Sequence, residues 1–146
     1  MEFKTTAQRK VYEKILPWMK ELFGTFLRVY EDKPSFRVSV GSASTQVAVY
    51  PWGEDDATIT ARSYVVTGAE ILPDLMHYLL RENSAMRFGA FGLDDEDDVF
   101  FEHTIVGSTC DKEEIRSSVL AVIYTADEYD DVVMQKWGGE RAVDRS

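Results

Sequence analysis

Hydrophobic residues recur at helical spacing over the first 24 residues and predict an N-terminal helix. They form two neighbouring stripes, one with Val11, Ile15, Trp18 and Leu22 and the other with Tyr12, Leu16, Met19 and Phe23. Pro17 lies within the pattern and lacks one backbone N–H, so we expect it to kink or split the helix. Gly24 is a typical C-terminal stop.

Three segments of alternating polarity follow and predict three strands. Turn residues separate them, GSAST after the first and GEDD after the second. The positions predicted to face the core are Phe36, Val38, Val40, Val47, Val49, Ile59, Ala61 and Val65. Because side chains alternate between the faces of a sheet, Tyr50, Trp52 and Tyr64 are predicted to lie on the opposite face.

A second helix, two further strands and a long third helix complete the pattern. Thr67 and Glu70 have the spacing of a capping box, but Pro73 disturbs that register, so the second helix begins at Thr67 or a few residues later. The strands are predicted in MRFGAFGL and VFFEHTIV. The third helix is expected to begin near Asp111 and to end at Gly138, leaving ERAVDRS as a frayed tail.

The order α-β-β-β-α-β-β-α predicts an α+β fold in which helices cover one face of an antiparallel sheet. We expect one domain over residues 1–146, with an ordered core over residues 6–137. The core is predicted to include Trp18, Phe101, Ile105, Val119 and Val122.

Five consecutive acids, Asp94 to Asp98, lie between the last two predicted strands. An EF-hand loop that began at Asp94 would need Gly at its sixth position and Glu at its twelfth, where this chain has Val99 and Ile105. Strand alternation also resumes at Val99. The segment is therefore predicted to be a hydrated hairpin turn, with no metal site.

The composition argues against several classes of partner. The chain carries 26 acidic and 16 basic residues, a net charge of −10, which disfavours nucleic acid and anionic membranes. A single cysteine, Cys110, permits no intrachain disulfide, and no apolar run is long enough to span a bilayer. We expect a cytoplasmic protein.

Few residues in the sequence are candidates for a catalytic or ligand-binding role. Cys110 is followed by acids that oppose a thiolate, and His103 alternates with core residues and is expected to be half-buried and structural. No phosphate-binding loop, nucleophile motif or zinc pattern is present, so we predict no cofactor and no catalytic residues. An alternative remains open, a small-molecule or metal-binding protein or enzyme that uses a pocket near His103 and the acidic hairpin.

The sequence has more apolar side chains than one small sheet and three helices can bury. This excess predicts that some of them form interfaces with other protein chains. The candidate partner-binding residues are Tyr50, Trp52, Tyr64 and Phe100. The candidate homodimer interface lies on the second helix, at Leu72, Leu75, Met76 and Leu79. Which of that helix's two stripes faces outward stays open.

Two local motifs resemble a known family. Leu79-Leu80-x-x-Asn83 at a helix end, followed by Gly89-Ala90-Phe91-Gly92-Leu93-Asp94, looks like the YbjN-type bacterial proteins over residues 6–137. The element order is similar, more distantly, to that of class I type III secretion chaperones. The resemblance implies a dimer that holds an extended client segment on its outer surface, and no enzymatic activity. We therefore predict a non-enzymatic protein-binding module, chaperone-like or regulatory.

Overall fold

The computed structural model describes residues 1–141 and has ten elements. In chain order they are α1 (Thr6–Phe23), a 3-10 turn (Gly24–Phe26), β1 (Leu27–Val29), β2 (Ser35–Val40), β3 (Ala43–Trp52), β4 (Asp56–Val66), α2 (Pro73–Ala85), β5 (Ala90–Leu93), β6 (Val99–Val106) and α3 (Lys112–Trp137). The predicted α+β class and element order are confirmed. The short edge strand β1 is an addition, because three residues are too few to show alternation.

The six strands form one antiparallel sheet in the order β1-β2-β3-β4-β6-β5. Helices α1 and α3 pack on one face of its centre, over β3, β4 and β6. All the predicted inward residues of β2, β3 and β4 are buried except Val40, which is half-buried at the end of β2. None of the helices within residues 1–141 is long and apolar enough to cross a membrane.

Helix α1 continues through Pro17 as one element, so of the predicted kink or split, the split does not occur. Pro17 lies on the exposed side, where water can hydrogen-bond the carbonyl that the proline leaves without a donor. The buried face combines both predicted stripes, and its hydrophobic residues are Val11, Tyr12, Ile15, Met19 and Phe23. Trp18 and Ile105 pack only at the margin of the core, whereas Phe101, Val119 and Val122 are buried within it as predicted.

The predicted capping box at Thr67 does not form. Helix α2 begins at Pro73, and Leu72 before it is extended because a residue that precedes proline avoids the helical region. The Thr67 backbone instead exchanges two hydrogen bonds with Glu140, N···O 2.8 and 2.9 Å. Glu140 is thus held against the fold, so the prediction of a frayed tail is wrong at this residue. Residues 142–146 of the predicted tail lie outside the described residues.

Helix α3 begins and ends as predicted. The Asp111 side chain accepts a hydrogen bond from the Glu114 N–H, O···N 2.8 Å, and Gly138 ends the helix with a φ of 78°. Lys14 of α1 supports the entry to α3 by donating to the carbonyls of Gly107 and Cys110. Cys110 is buried, which raises the pKa of its thiol, as expected for a structural cysteine.

Candidate functional site

The face of the sheet opposite α1 and α3 carries most of the predicted partner-binding residues. No described element within residues 1–141 packs over its centre, because the long helices lie on the other face. A shallow hollow of about 280 Å³ lies at this centre. Its lining residues are Gln46, Ala48, Tyr50, Thr60, Arg62, Tyr64 and Glu102. We call this surface the open face.

The floor of the hollow is polar, and its side chains form an ion pair and a hydrogen bond with one another. Arg62 of β4 and Glu102 of β6 are directly opposite in the register and form an ion pair, N···O 2.7 Å. The hydroxyls of Thr60 and Thr104, also opposite each other, are 2.8 Å apart. Arg62 and Tyr64 are two positions apart on β4 and therefore share a face, but the pairing of Arg62 depends on Glu102, which lies 40 residues further along the chain.

The four predicted partner-binding residues differ in exposure. Tyr50 and Trp52 are 50% and 58% exposed at one end of the open face. Tyr64 is half-buried and lines the same hollow. Phe100 is only 8% exposed, because the Arg62 guanidinium lies 3.8 Å from the centre of its ring. Tyr50 and Trp52 thus present aromatic surface directly, while Phe100 supports Arg62 from below.

Tyr64 joins the open face to the acidic turn. Its hydroxyl donates a hydrogen bond to the Asp94 carboxylate, O···O 2.8 Å. This bond lowers the pKa of Asp94, and burial together with that carboxylate raises the pKa of Tyr64. The bond therefore holds across neutral pH.

The acidic segment is a hairpin turn, as predicted. Asp95, Glu96 and Asp97 are exposed, and Asp97 takes the left-handed conformation with a φ of 61°. The expectation that all five acids are hydrated is wrong at the two ends. Asp94 accepts from the N–H groups of Glu96 and Asp98, and buried Asp98 accepts from the Gly68 N–H.

The alternative site near His103 does not include the acidic turn. His103 Nδ1 is 2.8 Å from the Ser118 hydroxyl, and the ring packs edge-on against Phe88. Burial lowers the pKa of His103. The turn ends at Asp98, five residues before His103, which is roughly 16 Å away along the strand. Within residues 1–141, no cluster of three or more His, Cys, Asp or Glu side chains could hold a metal ion.

Helix α2 presents one apolar stripe outward and one inward. Leu72, Met76 and Leu80 are exposed, at 40%, 40% and 69%. Leu75 and Leu79 are buried against the core. Of the four residues predicted for a dimer interface, Leu72 and Met76 therefore remain accessible, while Leu75 is wholly enclosed within its own chain.

Asn83 at the end of α2 clamps the edge of the sheet. Its side-chain oxygen accepts from the Phe91 N–H at 2.7 Å, and its side-chain nitrogen donates to the Phe91 carbonyl at 3.3 Å. The two groups of Phe91 would otherwise be unpaired on edge strand β5. Asn83 belongs to one of the two sequence motifs, but its role as a clamp depends on where α2 and β5 meet in the fold.

No curated protein sequence matches the chain. Twelve chains in solved structures do match. The chain is similar to one in the HopA1–SchA chaperone–effector complex, with 9% identity, a TM-score of 0.63, and coverage of 83% of this chain and 94% of the other. It is also similar to one in the ExsC–ExsE complex, with 11% identity, a TM-score of 0.65, and coverage of 86% and 95%. These likenesses support the predicted fold.

The sequence model of a protein family also matches. That family is described as TY-Chap1, T3SS (YopN, CesT) and YbjN peptide-binding chaperone 1, and its model matches residues 11–145. The match confirms the resemblance carried by the Asn83 and Gly89–Asp94 motifs, and with it the predicted partner-binding role. Because it spans nearly the whole sequence, the chain belongs to this family of peptide-binding chaperones.

Proposed function

We propose that the chain holds an extended segment of a partner protein on its open face and catalyses no reaction on it. The observation that carries the proposal is the pair of exposed aromatic rings, Tyr50 and Trp52, beside a polar hollow that no described element within residues 1–141 covers. Aromatic rings supply apolar contact area at small cost in side-chain entropy. The polar floor offers hydrogen bonds to a peptide backbone.

The similar solved structures described above are the HopA1–SchA chaperone–effector complex and the ExsC–ExsE complex, and the family description specifies peptide binding. These support an extended protein segment as the ligand class. We further propose that the protein acts in the cytoplasm, as its composition led us to expect. The alternative function at His103 has less support, since the acidic turn lies apart from that pocket.

Peptide selection tests the proposal. Peptides selected on the parent protein from a random displayed library would be measured by fluorescence anisotropy against Tyr50→Ser and Trp52→Ser. We expect each change to weaken binding about tenfold or more, as removal of a central aromatic contact does. Tyr124→Ser, at a ring 61% exposed on α3, is the matched control and should leave affinity unchanged. Equal affinities for all variants would contradict the proposal.

We also propose a homodimer formed through the exposed stripe of α2. Leu72, Met76 and Leu80 are four residues apart along one line of the helix, beside an apolar groove of about 270 Å³ that Leu93 of β5 also lines. A two-fold axis would pair this stripe with its own copy and remove it from water.

A further inference from the structure

A row of arginines crosses the open face from the edge of the sheet formed by β1. Arg28 of β1 lies directly opposite Arg37 of β2 in the register. The row continues through Gln46 of β3 to Arg62 of β4. The residues on either side of Arg37 are buried in the core, so the row lies on the face away from α1 and α3. Because Gln46 and Arg62 line the hollow, Arg28 and Arg37 extend it to the edge of the sheet.

These arginines differ in whether a carboxylate pairs with them. Arg62 forms its ion pair with Glu102, N···O 2.7 Å. Arg28 and Arg37 belong to none of the ion pairs within residues 1–141, and neither do the exposed acids at residues 31–32 in the following turn. Like charges directly opposite each other on neighbouring strands destabilise a sheet. The fold thus retains two unbalanced cations at this edge of the open face.

Tyr30 holds the two arginines together without cancelling their charge. Its hydroxyl accepts from Arg37 Nε at 2.9 Å, and the guanidinium carbon of Arg28 lies 5.0 Å from the centre of its ring. Lys33 Nζ lies 4.3 Å from the same ring centre. A neutral ring attracts cations through its quadrupole but carries no net negative charge. We call Arg28, Tyr30, Lys33 and Arg37 the cationic cluster.

The cationic cluster is built to receive an anionic acceptor. The hydrogen bond from Arg37 lowers the pKa of Tyr30, and the charges of Arg37, Arg28 and Lys33 lower it further, so the local potential is positive. Arg37 is held in place because its Nη1 also donates to the Ser44 hydroxyl at 2.8 Å. No group within residues 1–141 accepts from Arg37 Nη2, and Arg28 is exposed. A carboxylate here can hydrogen-bond to both guanidiniums and offset their repulsion.

We propose that Arg28 and Arg37 bind an acidic side chain of the partner segment that lies on the open face. The inference rests on the proposed peptide-binding function and names one specificity-determining contact of that site. The occupant is a short acidic stretch of polypeptide, because the net charge of −10 on the chain disfavours a polyanion such as nucleic acid. One or two carboxylates match the two unbalanced arginines.

The register of the sheet gives the spacing between the acid and the aromatic contact. Gln46 lies opposite Arg37 and four residues before Tyr50 on β3. Four residues along a strand and one strand across place Arg37 roughly 14 Å from Tyr50. An extended chain advances about 3.3 Å per residue, and alternate residues share a face. The acid therefore lies about four residues from the apolar residue that contacts Tyr50.

Two peptides of one composition test this spacing. The probe contains Leu-Thr-Glu-Thr-Glu between Gly-Ser flanks, which places both glutamates on the face of the leucine. The control, Leu-Glu-Thr-Glu-Thr, places them on the other face. Both are also made in reversed order, to cover the two directions in which a segment crosses the sheet. Amide NMR titration of the labelled protein measures weak binding. We expect the probe, in one direction, to shift the Arg28 and Arg37 signals and to bind about fivefold more tightly than its control.

Charge reversal locates the contact. We expect Arg28→Glu with Arg37→Glu to weaken the probe at least about fivefold and to favour Leu-Thr-Lys-Thr-Lys instead. Arg9→Glu with Arg116→Glu makes the same change in net charge at exposed arginines of α1 and α3 and should leave the order of affinities unchanged. Reversal of the preference in both double variants would show that only net charge matters and would overturn the inference.

Arg28→Gln separates binding from folding. This change removes one of two opposed charges, so the midpoint of thermal unfolding should stay the same or rise. The probe should nevertheless bind about threefold more weakly. A clear fall in the midpoint would assign Arg28 a structural role and overturn the inference.

Two further outcomes of the titrations would overturn the inference. One is equal affinity, or no binding, of probe and control in both directions. The other is tighter binding of a short oligothymidylate than of the probe, which would assign the cationic cluster to nucleic acid. If peptides selected on the parent depend on Tyr50 and Trp52 but not on acidic residues, the proposed function stands without this contact.

Discussion

Asp94 and Asp98 take structural roles at the ends of the acidic turn, while the three acids between them remain in solvent. Asp94 accepts hydrogen bonds from two backbone N–H groups and from Tyr64. We therefore expect Asp94→Ala to lower the midpoint of thermal unfolding clearly, because it leaves these three donors without their acceptor. Asp95→Ala, at an exposed neighbour, is the control and should leave the midpoint nearly unchanged. Similar midpoints for both variants would show that the turn does not depend on Asp94.

We expect His103 to make the stability of the fold depend on pH. Burial lowers its folded-state pKa below the ordinary value of 6.5, so the unfolded chain binds the proton more readily. The contribution of neutral His103 to the free energy of unfolding is fully present above about pH 6.5 and decreases as the pH falls below that value. We expect His103→Gln to flatten the pH dependence of urea unfolding between about pH 5 and 7. The exposed His77 provides the control variant His77→Gln. If the free energy of unfolding changed with pH as steeply in His103→Gln as in the parent, the pH dependence would not come from His103.

Alternation along single strands predicted the orientation of residues but not their pairing. It placed Tyr64 and Phe100 on one face, and the structure agrees. It did not indicate that Arg62 would cover Phe100, since that contact depends on the register between β4 and β6. Side-chain direction is a local property with a period of two, whereas exposure on a sheet depends on neighbours distant in sequence.

At the scale of elements, the Asn83 clamp links α2 to the edge of the sheet. We expect Asn83→Ala to reduce the free energy of unfolding by about 1–3 kcal/mol, because the Phe91 N–H and C=O lose their partners. Ser84→Ala changes the exposed neighbouring residue and should stay within about 0.5 kcal/mol of the parent. Urea unfolding measures both. A loss below about 0.5 kcal/mol for Asn83→Ala would mean that water replaces the amide without cost.

The boundaries of helices were predicted correctly where a local capping or stop residue determined them and no long-range contact intervened. The Asp111 cap and Gly138 stop of α3 are both local, and both are present. The predicted capping box at Thr67 does not form because Pro73 sets the start of α2. In addition, the Thr67 backbone forms an isolated β-bridge with Glu140, 73 residues away. Long-range pairing of this kind has no signature in a local window.

At the scale of the whole molecule, the proposed homodimer is formed by α2. Met76 lies at the centre of the exposed stripe, so Met76→Glu would bury a charge without a partner in the proposed dimer. We expect sedimentation equilibrium to give a dimer mass for the parent and a monomer mass for Met76→Glu. Tyr124→Glu on α3 is the control and should remain dimeric. A parent mass of 16.7 kDa that persists at high micromolar concentration would rule out the dimer.

Site-specific photo-cross-linking in cells of the native host tests the central claim, that an extended partner segment lies on the open face, most directly. A photoreactive p-benzoylphenylalanine would replace Tyr50 on the open face and, in a separate protein, Tyr124 on α3, both exposed aromatic positions. Mass spectrometry would then identify the attached residues. The account predicts adducts from position 50 to one contiguous segment of a partner protein, with none from position 124. Adducts of equal yield at both positions, or none at position 50, would contradict it.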